Sequence, residues 1–322
     1  MPQPEFKRIA YLFGAGATHA ELQNIEPDLV TEKTGLLIKN VSSRVIEKAR
    51  RGPGYLKDLE MVSGTSGSLN IELLISLIES SKIHGWETKT QLLKKLVRED
   101  IEAILTRSRT RRFYLHKGLL ELHLQPVTQR REKLTGLISL NYDDVLDQAF
   151  KEFHGDPNYC FSLDADVFSP DGIPLLKLHG SFNWTAKSIR GRTRTIEIIP
   201  LGANKNYLHA PYGFIWNRAL EILIECDTLR VIGCSLSPND VHLIDLLFKA
   251  HLERKKPFEI EIISSDDTAD TIKRDYGFFP QIKKLTELET VLIPDANPAN
   301  PFRTWLRHKC LNILKGQVSI TK

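Results

Sequence analysis

Short apolar runs recur along the chain at Arg8–Phe13, Gly136–Leu140, Pro174–Leu178, Leu229–Gly233 and Phe258–Ile263, each ending in a turn or leading into a helical stretch. Runs apolar on both faces predict strands of a parallel sheet covered on both sides by helices, because a half-exposed strand would alternate apolar with polar residues. Val145, Leu146, Ala149, Phe150 and Phe153 fall at helical spacing after the second run. Ala219–Glu225 reads as another helix, leading into the fourth run, and NPFRTWLRHKCLNIL reads as a closing helix. Between the first two runs the pattern changes. Leu69, Leu73, Leu77 and Ile78 mark one amphipathic helix after the Gly/Ser-rich segment 63–68, and Leu92, Leu93, Leu96, Val97, Ile101, Ile104 and Leu105 mark a longer one. The expected fold is therefore α/β: one Rossmann-like domain over residues 1–322, with a helical insertion subdomain over 36–128.

Composition changes this picture little. The chain has 322 residues, 41% hydrophobic and 26% charged, with a formal net charge of +4. These values are ordinary for a globular protein and do not call for a nucleic-acid partner. Basic residues cluster at Arg107–Arg112, Arg130–Arg131 and Lys187–Arg194 without interleaved aromatics, so solvated faces outweigh a nucleic-acid groove. No apolar run approaches a membrane span, and the N-terminus lacks a signal-type apolar core, so the expected address is cytoplasmic. Cys160, Cys226, Cys234 and Cys310 are scattered and form no metal-binding pair. His116 and His123 have no acidic or cysteine partner nearby in sequence, so no metal is assigned.

Candidate chemistry lies at the ends of the predicted strands. Gly14 and Gly16 stand between the first strand and a helix-forming stretch, with only Ala15 between them. Glycine there permits a tight turn and lets the backbone approach a pyrophosphate that meets the helix N-terminus. The third glycine of a dehydrogenase fingerprint is replaced by His19, and no second strand with an acidic ribose ligand follows, so a hydride-transfer enzyme is disfavoured. Asn141 and Asp143 follow the second run, His179 and Gly180 the third, and Gly233, Cys234 and Ser235 the fourth. Each has a plainer reading: helix caps for Asn141 and Asp143, a hydrogen-bonded structural histidine, a strand-to-helix turn. Their joint placement at one sheet edge points to one site.

The order G-A-G-A, N-Y-D, L-H-G-S and G-x-S-L resembles the sirtuin fold family, and most closely the sirtuin-like NADase domains of bacterial antiphage defence, from about Lys7 to Ile263. The resemblance implies NAD as substrate, bound by Gly14, Ala15, Gly16, Ala17, Thr18, Asn141, Asp143, Gly233, Cys234, Ser235 and Ser264. Main-chain amides of Ala15 to Thr18 and of Cys234 to Ser235 would hold the phosphates. Asn141 would position ribose or water, Asp143 would hold the carboxamide, and His179 would act as general base. Ser264 stands where sirtuin deacylases carry asparagine. The interval 183–229 holds Cys226 but not the deacylases' four-cysteine zinc module, and their Phe-Arg element is missing after the glycines. Both departures favour NAD hydrolysis by water. A deacylase or ADP-ribosyltransferase, and a non-catalytic nucleotide-binding scaffold, are the competing readings. Because free NADase activity is toxic, an activating partner or a change of assembly state is expected: a homo-oligomer and a regulatory partner (an ATPase, nuclease or Argonaute-like protein), with any sensor domain on another polypeptide or on a part of the protein outside this sequence. The apolar helical faces of the insertion read first as internal packing against the sheet; part of them, with the basic 107–112 segment, is the candidate docking surface for a second protomer or an acidic partner.

Overall fold

The computed structural model describes residues 6–25, 34–51, 70–81, 84–107, 114–161, 172–184, 207, 210–257, 259–277, 279, 281–284 and 300–318. Six parallel strands form one sheet: β1 (Lys7–Phe13), β2 (Glu132–Ser139), β3 (Leu175–Lys177), β4 (Thr228–Ile232), β5 (Glu259–Ile263) and β6 (Gln281–Lys284). Their spatial order is β3-β2-β1-β4-β5-β6, with β1 pairing in parallel with both β2 and β4. This is the order of doubly wound dinucleotide-binding sheets, in which the chain changes direction across the sheet between β1 and β4. The predicted α/β sheet is therefore present. The sixth strand, β6, is additional to the five expected from the apolar runs. The Gly/Ser-rich segment 63–68, Leu69 and Phe258 lie outside the described residues.

Alternate strand residues face opposite helical layers. Ile9, Tyr11 and Phe13 pack beneath α1 (Ala15–Ile25), α5 (Tyr114–Leu124), α7 (Val145–His154) and α11 (Pro301–Val318). Ala10 and Leu12 pack beneath α8 (Tyr212–Glu225), α9 (Val241–Glu253) and α10 (Asp266–Asp275). Burial on both faces explains why the strand sequences are mostly apolar. A polar weld crosses the sheet within this core. The guanidinium of Arg230 donates to Glu261 at 2.7 Å, to Tyr11 at 2.9 Å and to both carboxylate oxygens of Glu132 at 2.6 and 2.7 Å.

The insertion divides in two. Helices α2 (Ile38–Arg51), α3 (Ile71–Ser81) and α4 (Glu87–Arg107) have a core of their own, which includes Val41, Val45, Leu74, Ile75, Leu93 and Val97. Asp100 of α4 locks α2 to it, accepting from Arg44 Nε at 2.9 Å and Lys48 Nζ at 2.6 Å. Helix α5, by contrast, belongs to the sheet's own covering layer, followed by the single turn α6 (Pro126–Gln129). The apolar face expected for α3 is corrected. Its buried stripe is Ile71, Leu74, Ile75 and Ile78, whereas Leu77 is 57% exposed. Asn70 sets the phase by capping the helix, its Oδ1 accepting from the amides of Glu72 and Leu73.

Two residues from strand-end loops, Tyr142 after β2 and Phe182 after β3, complete the core of this helical module. The module is thereby seated over the carboxyl ends of the strands. The two loops are tied to each other, the Phe182 amide donating to the Tyr142 carbonyl at 2.9 Å.

Candidate active site

The turn after β1 and the turn after β4 are packed backbone to backbone at the point where the sheet changes direction. Gly14 donates its amide to Ile232 O at 3.0 Å, and Gly16 donates to Gly233 O at 2.8 Å. A Cβ on Gly14 or Gly16 would lie 2.7 Å from atoms of the opposite turn. Gly233, at φ +58°, would place one 2.1 Å from the Ala17 nitrogen. Glycine is required at these positions by close approach and, at Gly233, by the left-handed backbone as well.

The same contacts revise how the turn would hold an anion. The amides of Gly16 and Ala17 are committed within the turns, to Gly233 O and to Gly14 O respectively. Of the expected Ala15–Thr18 amides, two are thus already bonded. Ala15, exposed at the first position of α1, lines the cleft together with Gly14 and Gly16. Ala17 and Thr18 are buried behind the turn, not among the residues lining the cleft.

Thr18 serves as the hub of that buried layer. Its hydroxyl donates to Asp143, at 3.1 Å to the nearer oxygen, and accepts from Asn141 Nδ2 at 3.1 Å. Asn141 Nδ2 also donates to Gly14 O at 3.0 Å, so its amide braces the glycine turn from below. Asp143, a cleft residue, also accepts at 3.1 Å from the amide of Val145, the first residue of α7, whose N-cap is Asp144. Burial pushes the Asp143 carboxyl above its ordinary range, against the opposing pull of Lys177, the Val145 amide, His116 and Thr18. Lys177 is itself buried, bonded to the Asp143 carbonyl and to Asp147 Oδ2 at 2.9 Å.

His179 sits beyond β3 with its Nε2 3.0 Å from Oδ2 of Asp240, and both side chains are 2% exposed. Asp240 is the N-cap of α9, accepting from the Leu243 amide. Tyr142 lies beside His179, its ring centroid 6.3 Å away. Burial, together with the charge of the Glu72 carboxylate of α3 and a hydrogen bond to it, holds the Tyr142 phenol well above its usual range. The loop leading to Asp240 is held in shape by Leu236 at φ +46°, whose carbonyl accepts from Tyr276 Oη. Within it Cys234 is buried, and burial pushes its thiol up to about 12, so it is a neutral packing group. Ser235 is exposed on the cleft, and Ser264 lines it from the end of β5.

These groups meet in one cleft of about 580 Å³ between the strand ends and the helical module. That size suits a cofactor-scale ligand. Of the predicted residues, Gly14, Ala15, Gly16, Asn141, Asp143, His179, Gly233, Cys234, Ser235 and Ser264 all line it. Sequence reasoning missed Asp240, Tyr142, Glu72 and His19, which line it too. His19, in place of the third fingerprint glycine, accepts from the Leu36 amide at 3.4 Å, and burial with the nearby Lys39 charge lowers its basicity.

Outside the cleft, His116 does have an acidic partner. Glu21 of α1 accepts from its Nδ1 at 2.8 Å and from the amides of Leu115 and His116 at 2.9 Å, which joins α1 to the start of α5. Among the described residues, no group of three or more His, Cys, Asp and Glu side chains is placed to hold a metal ion. No described helix is long and apolar enough to cross a membrane. The basic residues Arg109, Arg111, Arg112 and Lys187–Arg194 lie outside the described residues.

Residues 135–277 match the family model of the SIR2-like domain. No curated protein matches the sequence. Similar solved structures include a mutant Sir2 homologue in complex with 2′-O-acetyl ADP ribose, 14% identical, covering 97% of this chain and 95% of that one at a TM-score of 0.45. A Sir2 homologue–NAD complex is also 14% identical, with 96% and 92% covered and a TM-score of 0.41. The family match spans β2 through α10 and takes in Asn141, His179 and the Gly233 turn. Residues 135–277 are thus similar to the SIR2-like domain, and lie within a helix-flanked parallel sheet.

Proposed function

We propose that this chain hydrolyses NAD, cleaving the bond between the nicotinamide nitrogen and ribose C1 to give nicotinamide and ADP-ribose. The observation that carries the reading is the glycine turn at the sheet's direction change, opening into the same cleft as Asn141 and His179. A SIR2-like domain supports NAD-dependent chemistry in general. In this reading the pyrophosphate lies against Gly14–Gly16 and the N-terminus of α1. The adenosine half extends toward Ser264, and the nicotinamide ribose toward Asn141 and His179.

When the C1–N bond breaks, its electron pair goes to the nicotinamide nitrogen and cancels the positive charge there. The ribose passes through an oxocarbenium-like state, as in glycoside cleavage. Water adds to C1 from the opposite face, and His179 takes its proton and later releases it to solvent. Because nicotinamide leaves readily, the site's main contribution is to orient ribose and water. Asp143 already accepts from Thr18 and Val145, and a carboxylate has further acceptor capacity for the carboxamide.

The proposal extends to role. By its sequence resemblance the chain is a regulated NAD-depleting effector of bacterial antiphage defence, activated by a protein partner or by a change of assembly state. Water is favoured over an acyl-lysine acceptor because the deacylases' zinc cysteines and Phe-Arg element are missing from the sequence. The test is chromatography of NAD incubations with and without an acetyl-lysine peptide. Nicotinamide and ADP-ribose formed without peptide support hydrolysis. Turnover that requires the peptide and gives acetyl-ADP-ribose would replace it with deacylation.

A further inference from the structure

Three candidates stand out beyond the residues already given roles: the Arg230 cluster in the sheet, the exposed apolar side chains of α9, and the contact between His179 and Asp240. The first is enclosed among core side chains, its guanidinium already spent on Glu132, Glu261 and Tyr11. The second, Val241, Phe248 and Leu252, has nothing in the structure to say what covers it. The third has defined chemistry.

We propose that Asp240 is the positioning residue of the site, its carboxylate holding Nε2–H of His179 so that the ring's basic lone pair lies on Nδ1. The distance is 3.0 Å between two almost wholly buried groups, so water does not dilute the interaction; Oδ2 makes no aligned hydrogen bond at this ring orientation, and a small turn of the ring would supply one. Asp240 is itself held in place as the N-cap of α9, by the Leu243 amide on Oδ1 and by its own amide donating to Ser237 O at 2.9 Å. A carboxylate fixed in this way selects one imidazole tautomer and stabilises the imidazolium formed when the ring takes a proton. Tyr142 beside the ring and the other titratable groups at these strand ends do not supply this. Tyr142 is neutral and bonded to Glu72, Asp143 is bonded to Thr18 and the α7 amide, Cys234 is a neutral thiol, and Lys177 points to Asp147. This inference rests on the hydrolase reading for its consequence in catalysis, but not for the pairing itself.

The experiment is nitrogen-15 NMR of the His179 ring in the full chain, for the wild type and Asp240→Asn. Asparagine retains an acceptor for the α9 cap and removes the charge. The wild-type neutral ring is expected as the Nε2–H tautomer. In Asp240→Asn the ring titrates at lower pH, the acid limb of kcat/KM for NAD moves the same way, and kcat falls on the order of 100-fold with KM unchanged. A wild-type ring protonated on Nδ1, or a titration unmoved in the folded variant, overturns the proposal. The wild-type tautomer decides the pairing even if the variant does not fold. A chain that pairs the ring but leaves NAD intact retains Asp240 as partner and loses the hydrolase reading.

Discussion

Asn141 illustrates how one side chain joins the turn to the chemistry, because both acceptors of its Nδ2 group, Gly14 O and Thr18 Oγ1, belong to the β1–α1 segment. Asparagine cannot be exchanged there for an isostere that lacks the donor. Asn141→Asp is expected to lose NAD turnover as fully as Asn141→Ala, on the order of 100-fold or more, since an aspartate would face the Gly14 carbonyl with a second acceptor. Steady-state kinetics on variants with wild-type circular dichroism check this, and an Asn141→Asp enzyme near wild-type rate would contradict it. The residues legible in sequence are those next to a glycine or at a strand's end, where position alone predicts exposure to a ligand. Asp240 reads in sequence as part of a helix start, and the structure shows it performing that duty while also meeting His179. No periodic signal joins two loops so far apart in the chain. Glu72 and Tyr142 escape sequence reasoning for the same reason, since their meeting depends on how the helical module is seated.

At the scale of elements, the five strands are visible because burial on both faces keeps most of their positions apolar, with Lys177, Arg230 and Glu261 as buried, ion-paired exceptions. The edge strand β6, Gln-Ile-Lys-Lys, has no such run and is not. Helix α3 shows a different limit: Ile71–Ile78 is apolar almost all round, so spacing cannot select the buried stripe. The structure selects Leu74, 1% exposed, over Leu77. Leu74→Ala should therefore cost about 2–5 kcal/mol in chemical denaturation, and Leu77→Ala within about 0.5 kcal/mol of nothing. Equal losses at the two positions would mean that the helix packs on another face, or that Leu77 is covered in an assembly.

For the whole molecule, acid stability follows from the weld across the sheet. Burial, then the Arg230 charge, lowers His123 from 6.5 to about 4, so it folds as the neutral ring, with its Nε2 2.7 Å from the Tyr11 hydroxyl. Burial opposes ionisation of Glu132, but the bonds and charge of Arg230 outweigh it and bring the carboxyl from 4.5 to about 2. Both folded values are depressed, so both groups add stability above their unfolded values and lose it as pH falls. The loss runs from pH 6.5 through 4 for His123, and from 4.5 through 2 for Glu132. Thermal melts should show the midpoint falling across this range, and His123→Gln should flatten its upper part; an unchanged slope would remove His123 from the account. The overall topology is legible as a helix-flanked parallel sheet, whereas the division of the insertion is not, because α5 and the helices of the module carry similar apolar patterns. NAD cleavage in the cleft between module and sheet is tested by measuring nicotinamide released from NAD by the purified chain over a wide concentration series. Nicotinamide and ADP-ribose are expected in equal amounts from the wild type and neither from His179→Ala. NAD left intact by the wild type at every concentration, or undiminished release by His179→Ala, would contradict it.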